Sequence, residues 1–368
     1  MNGPLDTRLT ALLGCRYPIV QTAMGWVADA KLVAATGNAG GFGFLAGATI
    51  EPHLMEAAIL ETRRLTDAPF GVNFHMYQAN AGEIVELVLK HRVRAVSYSR
   101  SPGKAMVARL KDAGVVCMPT VGALKHAVKA VEMGADVVTV QGGEGGGHTG
   151  SVPTAILLGQ VVEAVDVPVV AAGGFKDGRG LIAALALGAS GIAMGTRFLM
   201  SADSPVPAAT LQRYLQVRDP AAVIVSRAID GMPQRMIRNE LLDRLERSGG
   251  LARLLLALRC ALAYRQHSGA SLGQLLGSAL KMRGGDGLTA AQTLMAANAP
   301  MVIQKAMVDG LPAEGVLPAG QIAASIDALP GCAELIESIV TQAERCLVEL
   351  GQRAAASAQR PAAVMGEH

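Results

Sequence analysis

The sequence predicts an α/β protein folded as a closed (β/α)8 barrel, a TIM barrel, with a helical insertion or lid after the eighth strand. Two observations predict it. Eight short apolar runs each lead through a polar or glycine-rich turn into a segment of helical period, the alternation of a parallel sheet with right-handed crossovers. Residues able to do chemistry also stand after nearly every run, whereas a doubly wound open sheet, the competing architecture, concentrates them at one switch point. The runs are PIVQTA from Pro18, GFGFLA from Gly41, FGVNF from Phe70, AVSYS from Ala95, VVCMPTV from Val115, DVVTVQG from Asp136, VPVVAAGG from Val167 and GIAMGT from Gly191. Between them lie helix-period segments such as LMEAAILETRRL, AMVARLKDA, LKHAVKAVEMG and GLIAALALG, several ending at the glycine that commonly stops a helix. Eight repeats in roughly 200 residues suit a barrel of this class, whose norm is ~250.

Composition narrows the function classes. Of 368 residues, 51% are hydrophobic and 17% charged, which excludes a disordered chain. A net charge of +3 with 3% aromatics supplies no platform for nucleic acid. The five cysteines, Cys15, Cys117, Cys260, Cys332 and Cys346, have neither metal-ligand spacing nor a disulfide framework, so no metal and a reducing compartment are expected. The first residues, MNGPLDTRLTALLGCRYP, do not read as a signal peptide, and LARLLLALRCALA from Leu251 is too short and too charged to span a membrane. A cytoplasmic protein with no membrane partner is expected. Its partners are a small-molecule substrate and, in assembly, a second copy in a homodimer.

The organisation expected is a barrel over 1–225, a helical lid over 226–300, helices packing back over 301–350 and a flexible tail over 351–368. From Ser226 to about Gly285 the pattern is helical without strand runs, and ten basic residues there face four acidic ones. They are Arg227, Arg235, Arg238, Arg244, Arg247, Arg253, Arg259, Arg265, Lys281 and Arg283. A solvated helix face and a lid turned towards an anionic substrate both account for them. The second reading makes Arg235, Arg238, Arg244 and Arg247 substrate contacts.

In a barrel, strand C-termini line the active site. Two glycine pairs stand there: Gly173–Gly174 after the seventh run, and Gly195 with Thr196 after the eighth. Turns after these strands are the usual phosphate site of this fold, where free backbone N–H groups hold an anion; turn glycines that merely close helices are the ordinary alternative. No GxGxxG or GxxxxGK[ST] pattern supplies a nucleotide site of another kind, which points to FMN. Asn73 and Gln141 are neutral amides for the polar edge of its ring, completed by Thr120 and the backbone of Ala23 and Met24. A turn asparagine is the ordinary alternative for Asn73.

The stretch QGGEGGGHTG, Gln141 to Gly150, follows the sixth run. Its glycines, Gly146 and Gly147 among them, read as backbone laid close to a ligand. His148 is the only one of seven histidines set in such a loop, and imidazole suits proton transfer near neutral pH. His75, after the third run, is its rival. Glu144 either orients the imidazole or satisfies loop amides.

Together YPIVQTAMGWVADAKLVAATGNAGGFGFL, PFGVNF, QGGEGGGHTG, AAGGFKDGRGLIAALALGASGIAMGTRFL and LPAGQIAASIDALPGCAELIESIV resemble the nitronate monooxygenase family, also called 2-nitropropane dioxygenases. The resemblance covers nearly the whole chain. It implies an FMN-dependent barrel, with phosphate on the backbone of Gly173, Gly174, Gly195 and Thr196. It also implies His148 as the base beside a nitro-activated carbon and Gln321 near the flavin. KMRGGDGLTAAQTLMAANAPMVIQKAMVDG looks most like the branch from bacterial steroid-ring degradation that acts on CoA thioesters. The function expected first is therefore NAD(P)H-dependent reduction of an unsaturated or oxo CoA thioester, and second the oxidation of alkyl nitronates with O2. A non-catalytic flavin carrier is a third. An inosine-monophosphate-dehydrogenase-like barrel needs a cysteine in a loop, and Cys117 falls inside a strand run.

Overall fold

The barrel closes as the alternation predicts. The computed structural model describes residues 3–76, 80–99, 102–247 and 290–358. Its parallel strands are β1 (Ile19–Gln21), β2 (Phe42–Leu45), β3 (Gly71–His75), β4 (Ala95–Ser99), β5 (Val116–Val121), β6 (Val138–Gln141), β8 (Val169–Ala172) and β9 (Gly191–Met194). They pair in that order and β9 returns to β1, with Ile19, Val20 and Gln21 opposite Ile192, Ala193 and Met194. A strand covered inside by the barrel core and outside by helices has no wet face. Hence the continuous aliphatic runs.

Helices α2 (Ala30–Asn38), α3 (Pro52–Leu65), α4 (Ala81–Lys90), α5 (Lys104–Asp112), α6 (Leu124–Glu132), α7 (Thr154–Ala164) and α8 (Gly178–Ala186) follow their strands. Asp29 and Asp177 cap α2 and α8 by accepting from backbone N–H groups. Phe42, Phe44, Val116, Met118 and Val170 pack inside the barrel, and Leu9 and Leu13 of α1 (Arg8–Leu13) join that cluster. Outside, α12 (Ala290–Met307) and α13 (Cys332–Ala358) complete the C-terminal part. Helix α13 lies against α8 so closely that a Cβ on Gly178 would stand 2.3 Å from the Ile339 carbonyl.

Beyond the eighth barrel strand the structure departs from the expected all-helical pattern. After α9 (Thr196–Leu199) and α10 (Ala208–Leu215), β10 (Val223–Ser226) and β11 (Gln234–Ile237) form an antiparallel pair. The other edge of β11 takes β7 (Gly147–His148), the end of the glycine-rich loop. Four-residue strands carry too little period to be read alone, and a partner 86 residues away in sequence supplies their pairing. Helix α11 (Glu240–Arg247) follows. Arg253, Cys260, Arg259, Arg265, Lys281, Arg283 and the last residues of the expected tail lie outside the described residues. The first part of that tail continues α13, which runs to Ala358.

Candidate functional site

Four loops meet at the C-terminal mouth. The glycine-rich loop leaves β6 at Gln141 and folds back on itself, with the Gly143 N–H donating to the Val152 carbonyl and Gly145 to Gly142. Thr149, buried beneath it, donates to the carbonyls of Gly142 and Gly143. A Cβ on Gly146 would lie 2.6 Å from both the Ala319 carbonyl carbon and the Gly320 nitrogen. The PAGQ turn, Pro318–Gln321, is thus seated directly on the loop. Gln321 donates its N–H to the Glu144 carbonyl at 3.0 Å, and Gly320 donates to the Thr196 hydroxyl at 2.9 Å. Gly147, at φ +70°, has open space where a Cβ would stand.

The two glycine turns face this loop. Gly173 and Gly174 are both left-handed, at φ +99° and +86°, a consecutive pair that only glycine adopts without strain. A Cβ on Gly173 would be 3.0 Å from the Gly145 nitrogen, and one on Gly174 3.7 Å from Cβ of Glu144. A Cβ on Gly195 would stand 3.5 Å from the sulfur of Met24, which brings the β1 loop with Ala23 and Met24 to the β9 turn. Among the described residues, the N–H groups of Gly174, Gly195 and Thr196 have no protein acceptor. Gly173, Gly174, Gly195, Thr196, Gln321 and Gly146 are therefore gathered in one place.

Asn73 and Gln141 lie on β3 and at the end of β6, and Thr120 on β5. The Asn73 amide donates to the carbonyl and hydroxyl of Ser97 at 3.1 and 3.0 Å. Gln141 donates to the carbonyls of Gly146 and His148 at 3.5 and 2.9 Å. Both NH2 groups are spent on the protein, so each side chain offers its carbonyl oxygen as an acceptor. Sequence alone left them able to donate as well.

His148 stands on β7, its side chain 56% exposed. Its Nε2 lies 2.7 Å from Oδ2 of Asp230, a carboxylate 7% exposed. Gln234, opposite His148 in the β7–β11 register, donates its side-chain N–H to the same oxygen at 2.5 Å. Burial by itself would push the Asp230 carboxyl up, but hydrogen bonds from His148, the Met232 N–H and Gln234 outweigh it and hold the group below its usual range. Sequence does not single out Asp230 or Gln234 as site residues. Asp230 is one of the few acids among the arginines after Ser226, and no local pattern ties it to a histidine 82 residues back.

Glu144 takes the second of its two expected roles. Its carboxylate accepts from the N–H and hydroxyl of Thr154 at 2.9 and 2.7 Å, closing the loop onto the start of α7. The rival His75 shares the mouth: its Nδ1 lies 2.8 Å from the Ser99 hydroxyl. Burial, and then the neighbouring charge of His148, lower its pKa below the ordinary histidine value. Cys117 is buried in β5 with its thiol pushed up to about 12 by burial, which removes it as a nucleophile.

The arginines divide. Arg235 donates to the Gly143 carbonyl at 2.9 Å and the Val223 carbonyl at 3.2 Å, so it ties the insertion to the glycine-rich loop. Arg238 pairs with Asp243 at 2.7 Å, while Arg244 and Arg247 are exposed on α11. Among the described residues, no group of three or more His, Cys, Asp or Glu side chains could hold a metal, and no helix is long and apolar enough to cross a membrane.

The architecture is that of a (β/α)8-barrel protein with its candidate site at the C-terminal mouth, and the family it matches is one of oxidoreductases. The chain belongs to the nitronate monooxygenase family, whose model matches residues 6–86 and 82–342. A relative from Mycobacterium tuberculosis, (3aS,4S,5R,7aS)-5-hydroxy-7a-methyl-1-oxo-octahydro-1H-indene-4-carboxyl-CoA dehydrogenase, is 51% identical over 92% of this chain and 96% of its own. A probable nitronate monooxygenase from Staphylococcus saprophyticus is 31% identical over 66% of this chain and 81% of its own. Among solved structures, FabK from Thermotoga maritima superposes with a TM-score of 0.74 at 29% identity, covering 95% of this chain and 99% of that one.

Proposed function

We propose that this chain is an FMN-dependent dehydrogenase of the CoA thioester of a fused-ring carboxylic acid. His148 is the base that removes the proton from the carbon next to the thioester carbonyl. The observation that carries the reading is His148 fixed at the mouth by a buried carboxylate, on the loop packed against the paired glycines of the β8 turn. The M. tuberculosis relative, named for a CoA thioester and for dehydrogenation, supports the substrate class and the direction. Reduction with NAD(P)H, the direction expected first from sequence, is the reverse reaction, and the same histidine serves it by returning the proton.

The residues present fit FMN. The N–H groups of Gly174, Gly195 and Thr196 can hold its phosphate without displacing any protein acceptor. The side-chain carbonyls of Asn73 and Gln141 can accept from the ring, with Ala23, Met24, Thr120, Gly147 and Gln321 to line it. When bound, FMN supplies a two-electron acceptor for the hydrogen that leaves the neighbouring carbon. His148 needs only an acidified C–H at its imidazole, and a nitro group acidifies one as a thioester does. That common requirement is what favours nitronate oxidation as the second reading.

Anaerobic mixing of the FMN-loaded protein with a saturated fused-ring CoA thioester is expected to bleach the flavin absorbance. Bleaching by a nitronate alone would replace the proposal with the second reading. Bleaching by NAD(P)H alone would restore the reductase direction, and a protein that takes up no FMN would end all three.

Arg238, Arg244 and Arg247 are proposed contacts for the CoA phosphates. Replacing all three with alanine is expected to raise KM for a CoA thioester about tenfold, the scale of one lost charge-assisted hydrogen bond. KM for a short nitronate should stay unchanged. Unchanged KM for both would return these arginines to a solvated face.

A further inference from the structure

We infer that Asp230 is a positioning residue that holds His148 as its Nε2–H tautomer, so that Nδ1 is the atom that takes the substrate proton. The assignment of Nδ1 as the base rests on the function proposed above; the tautomer itself stands on geometry alone.

The argument starts from charge. Asp230 is buried while His148 is half in solvent, and a buried carboxylate persists only where donors meet it. Here three do. The Met232 N–H takes Oδ1 at 3.0 Å, and the Gln234 amide and the imidazole share Oδ2. An ionised carboxylate only accepts. The 2.7 Å between Oδ2 and Nε2 is the length of a charge-assisted hydrogen bond. Two lone pairs do not face each other at that distance, so the proton lies on Nε2.

Gln234 fits the assignment as a second donor to the same oxygen. Its NH2 takes Oδ2 at 2.5 Å and lies 3.2 Å from the imidazole nitrogen, the spacing of two N–H groups that converge on one acceptor. A neutral imidazole keeps one lone pair, and here that is at Nδ1. Once Nδ1 is protonated, the new charge is met by a carboxylate already in place and requires no movement of water.

The chain builds this constellation from two separate segments. The β7–β11 register sets Gln234 beside His148. The turn between β10 and β11 carries Asp230, whose Oδ1 holds the turn while Oδ2 holds the histidine. The insertion therefore positions the base of the barrel loop. Among the described residues, His75 is a further titratable group close enough to feel the charge of His148.

Heteronuclear NMR of isotope-labelled, FMN-loaded protein reads the tautomer, with the His148 signals identified by their loss in H148Q. A protonated Nε2 and an unprotonated Nδ1 are expected. In D230N the side chain can offer Nε2 either a donor or an acceptor, so a mixture of tautomers should replace the single one. With FMN retained, kcat should fall about 10²- to 10⁴-fold and KM change less, as when a histidine loses its orienting carboxylate elsewhere. An Nδ1–H tautomer in the unsubstituted protein, or unchanged kcat in D230N, overturns the inference. If D230N does not fold, the spectrum of the unsubstituted protein still decides. The expected tautomer in a protein inactive on every carbon acid would keep the positioning role and remove the proposed function.

Discussion

His148→Ala is expected to lower kcat by about 10²- to 10⁴-fold, the usual worth of a positioned general base, with FMN still bound. Its side chain is half exposed and its ring nitrogen Nε2 lies within hydrogen-bonding distance of Asp230 and Gln234, so its removal leaves no large cavity in the barrel core. The loop is held without it, through Glu144 with Thr154, Thr149 with Gly142 and Gly143, and Gln141 with the backbone of His148. Flavin absorbance and kcat measured on the same preparation separate the two effects. Full activity in the alanine variant would remove His148 from the mechanism and transfer attention to His75. Loss of FMN together with activity would give His148 a structural part instead.

The second large effect is expected at Gly146. An added Cβ would stand 2.6 Å from two backbone atoms of the Ala319–Gly320 turn and 3.1 Å from a third. Backbone cannot rotate away as a flexible side chain can, so either the turn or the loop must shift. The turn is held from its far side by the Tyr214 hydroxyl on the Pro318 carbonyl at 2.8 Å, and by the pairing of Pro318 with Met236. Overpacking of this kind costs about 1–3 kcal/mol. The displaced atoms include Gly320, which donates to Thr196 in the β9 turn. Gly146→Ala should therefore lower Tm and also weaken FMN binding in a fluorescence titration. Gly147→Ala is the internal comparison: it meets open space at φ +70° and should show only about 1–2 kcal/mol of left-handed strain. Equal effects at the two positions would mean that the loop is not braced by the PAGQ turn.

Much of the site was legible because its parts are local. Gly173 with Gly174, Gly195 with Thr196, and His148 within its glycine run each announce a special backbone or side chain at a strand end. The strands that carry them were legible because closure buries both faces and leaves a continuous aliphatic run. What was not legible depends on pairing at long range. Arg235 read as one of several lid cations, yet its guanidinium is committed to two backbone carbonyls. Glu144, four residues from His148, read as a candidate partner for the imidazole, yet it closes its own loop on Thr154.

The sequence by itself determined the barrel, the order of its strands and the glycine turns, and it singled out His148 as the candidate histidine. These follow from burial and backbone conformation, which act over a few residues. Only the tertiary structure decided what holds that histidine. A two-residue strand at Gly147–His148 and a four-residue strand at Gln234–Ile237 have no stability or signature apart. Paired, they bring a buried Asp230 within hydrogen-bonding distance of Nε2. A carboxylate out of solvent must find its partners wherever the chain supplies them, and here one of them is a histidine 82 residues away.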